Sequence, residues 1–322
     1  AGFAILGVAF LVKAGMWPLC FWLPTTYAAA SAPAAALFSI MSKVGVYAIL
    51  RLGLLLFGDG SDAAGFGSSW LLYGGLLTIG FGAIAVLASQ DLSRLAGYNV
   101  LISSGTLLAA LGVADLAITA GALFYLLSST LAISAFFLLI ELAERGRRPG
   151  ADILAVTMEA FGEPEEEPLD SEEEVGIAIP ATMAILGLSF LLCALLLAGL
   201  PPLSGFIGKF VLLDAVLRTH GTANATAWVL LAVIILSGLA VVIAMTRAGI
   251  RTFWGPLERS VPRVRLIEIT PIGLLLLLCV ALTVQAGPVM RYLQDTAAAL
   301  HSPQGYIEGV LSAPRAGQGG ET

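Results

Sequence analysis

The residues best suited to chemistry in this sequence are its three lysines. Lys13, Lys43 and Lys209 are the only lysines in the chain, against thirteen arginines, and each stands inside an apolar stretch. Insertion scales put a lysine at the centre of a membrane helix at roughly 2.5–3.5 kcal/mol, so one retained there calls for an explanation. Lys43 is the clearest case, about eleven residues into the apolar run from Pro33 to Phe57. Snorkelling to an interface or satisfaction by backbone carbonyls would explain one such lysine structurally. Three out of three favours function. Arginine stays protonated at any physiological pH, whereas a desolvated lysine can exchange its proton near neutrality. That is the chemistry of a proton relay rather than of substrate turnover, and no catalytic residue, metal ligand set or cofactor is expected.

Two of the lysines stand beside helix breakers. Lys13 precedes Pro18 and Pro24, and Lys209 follows Pro201-Pro202 in the run Gly199 to Lys209. Proline removes a backbone donor and clashes with the preceding turn, so each span should divide into half-helices. Broken membrane helices recur at ion sites, where freed carbonyls and helix ends meet a polar cavity. Other candidates are accessory. Arg51, two turns from Lys43, either tunes it electrostatically or anchors its helix at an interface. Glu141 lies near a helix end and reads as interfacial. Asp214 follows Lys209 by five residues, about 140° round a helix, which argues against direct pairing. Asp91 and Arg94 flank a short loop and suit helix caps. His220 and His301 fall outside the expected spans and receive no role. Cys20, Cys193 and Cys279 are each isolated in apolar surroundings and read as packing residues.

The elements that must hold these residues follow from composition. Over 322 residues, hydrophobic types make up 58 % and charged types 12 %, where a soluble domain carries about 25 % charged. Mean hydropathy is +0.93. A water-soluble fold is excluded. Three cysteines exclude a disulfide scaffold, and a net charge of −6 without a basic stripe excludes nucleic-acid binding. What remains is a multi-pass membrane protein. Apolar segments at about 2–23, 33–57, 69–88, 94–113, 117–142, 177–199 (continuing brokenly to 217), 226–249 and 270–289 each approach the ~20 residues of a membrane crossing. None alternates like a barrel strand, so helices are expected. The fold class is all-α: one polytopic membrane bundle over 1–289, about eight segments with two broken helices, then a tail at 290–322. Within the tail, Met290 to Leu311 suits an amphipathic surface segment. The chain lacks an initial Met and begins in membrane character, which reads as a piece of a longer protein.

Loop charge sets the expected orientation. Nine arginines, Arg94, Arg145, Arg147, Arg148, Arg247, Arg251, Arg259, Arg263 and Arg265, fall on one side; the other holds Arg51 and Arg218, with Arg291 and Arg315 in the tail. The positive-inside rule makes the first side cytoplasmic and the tail external. The cytoplasmic connection 149–176 holds ten acids between Asp152 and Glu174; without them sixteen bases face twelve acids, and the charge turns from −6 to +4. This connection reads either as a solvated linker or as a docking surface and cation-attracting field.

The stretch from Lys13 to Leu52, KAGMWPLCFWLPTTYAAASAPAAALFSIMSKVGVYAILRL, resembles the proton-translocating subunits shared by complex I and the multisubunit Mrp/Pha cation/proton antiporters. GLPPLSGFIGKF at 199–210 and SQDLSRLAGYNVLISSG at 89–105 carry the resemblance further. The ASAP step at 30–33, the acidic connection and Lys209 favour the antiporter D subunit, since the complex I relative usually has Glu at the position of Lys209. The resemblance implies a fourteen-helix subunit in two inverted repeats, of which this chain matches the C-terminal portion. It implies that Lys13, Lys43 and Lys209 are the relay lysines of the seventh, eighth and twelfth helices. It also implies a bacterial-type cell (inner) membrane, other antiporter subunits as partners, and protons exchanged for Na⁺ or K⁺. The alternative is a proton-pumping subunit of a complex I-type oxidoreductase or membrane-bound hydrogenase. Two departures matter. The glutamate that partners the helix-seven lysine would lie before Ala1, and a histidine common in the eleventh helix is replaced by Leu127-Ser128-Ser129-Thr130. Ser128 cannot itself take up a proton at neutral pH, so a water held by its hydroxyl is expected to fill the gap.

Overall fold

The computed structural model describes residues 2–57, 65–113, 115–144, 181–220, 225–253, 266–302 and 304–312. These residues form helices α1 (Gly2–Ala14), α2 (Leu23–Ala29), α3 (Ala32–Phe57), α4 (Ser68–Ala88), α5 (Leu92–Val113) and α6 (Leu116–Glu144). After the undescribed connection follow α7 (Ala181–Ala198), α8 (Ser204–His220), α9 (Ala225–Phe253), α10 (Leu266–Val284), α11 (Ala286–His301) and α12 (Gln304–Leu311). No strand occurs among the described residues. Among the described residues six helices are long and apolar enough to cross a membrane, and the two broken spans supply shorter apolar helices at 4–14 and 182–198. The acidic connection and the end of the tail lie outside the described residues.

A backbone in lipid must satisfy its own polar groups, and helices do so internally. Burial then sorts them. Most of α5 and α6 is enclosed, and α6 packs against α3, α5, α7, α8, α10 and α11. The outer helices turn large apolar residues outward, among them Trp70, Ile84, Leu236 and Leu277. In a membrane that surface meets lipid or a neighbouring subunit.

Two small-residue faces allow helices to approach closely. A methyl placed on Gly112 of α5 would lie 2.4 Å from Leu72 N of α4. On α6 and α8, a methyl at Gly121 would lie 3.2 Å from Leu212 Cα, and one at Gly208 would lie 3.0 Å from Tyr125 Cα. Glycine at these places lets the backbones meet, as membrane helix pairs commonly require.

The last apolar segment, expected to run to 289, ends at Val284. A turn at Gln285 opens α11, whose apolar residues recur every three or four positions. Leu293, Ala297 and Leu300 are buried on that face, which packs on α6 and α3. The expected amphipathic segment at 290–311 is thus two helices, and it begins four residues early. Arg291, Gln294 and Asp295 form the exposed polar side of this helix.

Candidate functional site

Both broken spans occur where the prolines predict them, and they share a design. In the first, Gly15 takes φ +76°, a conformation that suits glycine alone among common residues. Its N–H donates to Val12 O at 3.1 Å, and Met16 N–H donates to Leu11 O at 3.1 Å. The Trp22 indole also donates to Val12 O at 3.1 Å, while Trp17 N–H leaves the helix direction to donate to Thr78 Oγ1 of α4 at 2.8 Å. Pro18 follows a cis bond from Trp17. The free carbonyl end of α1 is thereby closed by residues of the break itself.

Lys13 sits in the last turn of α1 and is half-buried. The helix approaches α3 at Gly45, where a methyl would lie 3.2 Å from Ala14 N and 3.4 Å from Lys13 Cβ. Among the described residues Lys13 has no acidic partner.

Lys43, two residues earlier on α3, is only 2 % exposed. Its ammonium donates to Ser103 Oγ of α5, and that hydroxyl donates in turn to Val100 O at 3.0 Å. The adjacent Ser42 Oγ lies 2.6 Å from the Tyr27 hydroxyl, which donates to Phe38 O at 2.5 Å. The neighbouring Ser104 hydroxyl is buried without a hydrogen-bond partner. A buried hydroxyl in that state has spare capacity for a water.

In the second break Gly199 repeats the φ of +76°, and Pro201-Pro202 is a cis pair. Gly199 N–H and Leu200 N–H both donate to Leu195 O at 3.0 Å. Helix α8 restarts at Ser204 so close to the end of α7 that a methyl on Gly205 would lie 2.0 Å from Leu196 O. Lys209 reaches back across the break. Its ammonium donates to Ala198 O at 2.8 Å and Leu197 O at 3.3 Å, capping carbonyls that the end of α7 leaves free. Among the described residues neither Lys43 nor Lys209 pairs with a carboxylate, so each buried ammonium is solvated by neutral oxygens.

The accessory candidates are placed as follows. Ser128 is fully buried, and it donates directly to Ser204 Oγ at 2.9 Å instead of needing a water to find a partner. Asp214 pairs with Arg218 at 2.8 Å on the exposed side of α8 and does not meet Lys209. Arg51 stacks over the Tyr306 ring at 4.7 Å, which ties α3 to α12 rather than to Lys43. Glu141 is half-buried near the end of α6. Asp91 accepts from Ser93 N–H and Arg94 N–H at 3.4 Å, capping α5. His301, given no role from sequence, lies 3.1 Å from Thr119 Oγ1.

Sequence reasoning missed Ser103, Thr106, Tyr125 and Ser204. The signal was present but quiet: buried hydroxyls one helical turn apart, in helices that are otherwise nearly all apolar. Tyr125 is buried, and the Thr106 hydroxyl donates to Ile102 O at 2.8 Å.

Known proteins share the sequence pattern and the fold. Residues 1–237 match the family model described as NADH:quinone oxidoreductase/Mrp antiporter, TM. The chain is 62 % identical to a probable K(+)/H(+) antiporter D subunit of Rhizobium meliloti, over 98 % of this chain and 59 % of that protein. It is 32 % identical to the D subunit of a Na(+)/H(+) antiporter of Bacillus subtilis, over 95 % of this chain and 57 % of the relative. The chain thus spans less than two thirds of the length of these relatives. A chain in the structure of the Mrp complex from Dietzia sp. DQ12-45-1b shares the fold, with a TM-score of 0.75 at 20 % identity over 96 % of this chain and 61 % of that one. The helical bundle and these matches converge: the chain belongs to the transmembrane family shared by NADH:quinone oxidoreductases and Mrp antiporters.

Proposed function

We propose that this chain acts within the D subunit of a multisubunit monovalent cation/proton antiporter, relaying protons through Lys13, Lys43 and Lys209 in exchange for Na⁺ or K⁺. The observation that carries the reading is the pair of enclosed ammonium groups, Lys43 and Lys209, held among the described residues by hydroxyl and carbonyl oxygens. Such a group is a poor structural element, because neutral ligands compensate its desolvation incompletely. It suits a site whose charge comes and goes. Lys13, half-buried at the mouth of the first break, extends the series to that break.

The same reading places the chain in the cell membrane as one domain over 1–289. The arginine-rich ends and the acidic connection at 149–176 are cytoplasmic, and the tail from 290 is external. Partners are the other subunits of a hetero-oligomeric complex and the surrounding lipid. In inverted vesicles carrying the assembled complex, Lys43→Ala should abolish cation-driven dissipation of ΔpH. Wild-type activity in an assembled complex would end the relay assignment. The family also contains redox-driven pumps, and a proton-pumping subunit of that kind is the second reading. A quinone-dependent ΔpH insensitive to Na⁺ and K⁺, or co-purification with redox subunits, would favour it.

A further inference from the structure

Helix α9 carries a face that the relay does not use. Near its carbonyl end Val242, Ile243, Thr246, Arg247, Ile250 and Arg251 line a shallow open groove of about 430 Å³. Their spacing puts them on one face over about three turns. Toward the start of α9 the same face continues through Ile243, Leu239 and Leu236, each about half exposed. Leu236 and Arg247 are eleven residues apart, about 16 Å of helix, which is roughly half the hydrocarbon thickness of a bilayer. The face thus has the length of one leaflet, apolar along its run and cationic at one end.

The cationic end is fixed at the membrane boundary. Arg247 Nη2 donates to Leu87 O at 2.6 Å and Ser89 O at 2.9 Å, and Arg251 donates to Gln90 Oε1 and, at 3.0 Å, to Gln90 O. These acceptors stand at the end of α4, a 21-residue apolar helix about 30 Å long, so the guanidinium groups are level with the edge of the hydrocarbon. The carbonyl end of α4 supplies about half a negative charge, and Arg247 alone brings a full positive one. Among the described residues Arg247 forms no ion pair. Its Nε is buried without a partner, and only its Nη2 donates. Asp91, the carboxylate on this turn, caps α5 and faces Arg94. A fixed positive charge with an unused donor edge, at the end of an apolar face, is complementary to a phosphodiester with acyl chains beneath it.

We propose that this face of α9 binds an anionic phospholipid, with the headgroup phosphate on Arg247 and Arg251 and an acyl chain along Ile243, Leu239 and Leu236. The occupant is a lipid because the face is one helix wide. One acyl chain covers such a strip, whereas a stable protein interface takes about 800 Å² from each partner. Free phosphate would leave the apolar run uncovered. A choline headgroup would bring its own cation toward two guanidinium groups, so a lipid with net negative charge is preferred. Bound there, the phosphate supplies the acceptor that Arg247 lacks while its Nη2 holds the end of α4. The proposal is independent of the relay reading and needs only the membrane bundle.

The test uses the full-length protein in its assembled complex, in nanodiscs of phosphatidylcholine. A fluorophore is attached through Ile235→Cys, an exposed position beside the apolar run, and its quenching by brominated phosphatidylglycerol is compared with quenching by brominated phosphatidylcholine. Phosphatidylglycerol should associate roughly fivefold or more strongly at this position. At Leu277→Cys, on the exposed side of α10, the two lipids should quench alike. Arg247→Gln/Arg251→Gln should abolish the preference at Ile235→Cys. Arg247→Lys/Arg251→Lys should keep most of it, because the charge remains although the planar fork is lost. Equal quenching by the two lipids at Ile235→Cys would overturn the proposal, as would a preference that survives the glutamine variant or is as strong at Leu277→Cys. Quenching at Leu277→Cys but by neither lipid at Ile235→Cys would mean that protein covers the face, and would overturn it too. A preference erased by added inorganic phosphate would assign the arginines to a free anion and end the lipid assignment. If the glutamine variant fails to assemble, the comparison of two lipids at two positions, with the lysine variant, still decides the matter.

Discussion

At the scale of single residues, Lys43 and Lys209 meet the same difficulty with different partners. Lys43 is solvated by a side-chain hydroxyl, Ser103, on a neighbouring helix. Lys209 is solvated by the main-chain carbonyls of Leu197 and Ala198, which exist as free acceptors only because α7 stops there. Removing the lysine thus has different structural costs at the two sites. Lys209→Met leaves two helix-end carbonyls in the break without their donor, and should destabilise the fold by about 1–3 kcal/mol, measurable as a lower melting temperature of the purified complex. Lys43→Met leaves only a serine that keeps its bond to Val100 O, so a smaller stability loss is expected. Lys43→Arg separates charge from exchange. It retains the cation but holds its proton under all physiological conditions, and should be as inactive in ΔpH dissipation as Lys43→Ala. Activity in Lys43→Arg would mean that a fixed positive charge is what the site requires.

At the scale of elements, the two breaks and the helix clamp organise the bundle. Each break combines a left-handed glycine, a proline and a lysine, but the lysine precedes the first break and follows the second. Gly205 is the least replaceable residue of the second break, because a methyl would lie 2.0 Å from Leu196 O. Gly205→Ala must push α7 and α8 apart; a loss of about 1–3 kcal/mol in stability is expected, with Lys209 drawn away from its carbonyls and transport reduced. The second device is on α9. Arg247 donates to Leu87 O at 2.6 Å and Ser89 O at 2.9 Å, and Arg251 donates to Gln90 O at 3.0 Å. Two guanidinium groups thus close the carbonyl end of α4, where positive charge is favoured. Arg247→Gln should loosen the α4–α5 turn, seen as faster amide hydrogen exchange at 88–91 while the core of α5 stays protected.

At the scale of the whole molecule, the helices arrange their ends in two layers. Gln90, clamped by Arg251, lies at the end of α4 opposite Ser68. A helix of this length spans about 30 Å, the thickness of a bilayer core. The small cavity of about 150 Å³ that includes Ser68, Leu111 and His301 marks the other layer, and α12 follows from there. Single cysteines at Gln90 and Gln304 should therefore react with a membrane-impermeant thiol reagent from opposite sides. By the arginine distribution, position 90 should be the cytoplasmic one. The native Cys20, Cys193 and Cys279 are buried, so they contribute little background to labelling by an impermeant reagent. Labelling of both positions from the same side would contradict the arrangement of α4 and α12.

The sequence by itself determined the class, the spans and the lysines. A chain with so little charge cannot cover a soluble surface, and a residue as costly in lipid as lysine stands out by its rarity. The helix breaks were legible for a similar reason, since proline acts on the backbone of its own segment. Partners were not legible in this way. Ser103 is 60 residues from Lys43 and Ser204 is 76 from Ser128, and a serine in an apolar helix looks alike whether it faces lipid, packs, or ligates an ammonium. Arg51 and Asp214 show the same limit: their spacing from the lysines left their direction open, and the fold turned them to Tyr306 and Arg218. Which faces meet is decided by glycine-mediated contacts between distant helices. Local chemistry named the residues that must be compensated in the membrane, and only the tertiary structure decided what compensates them.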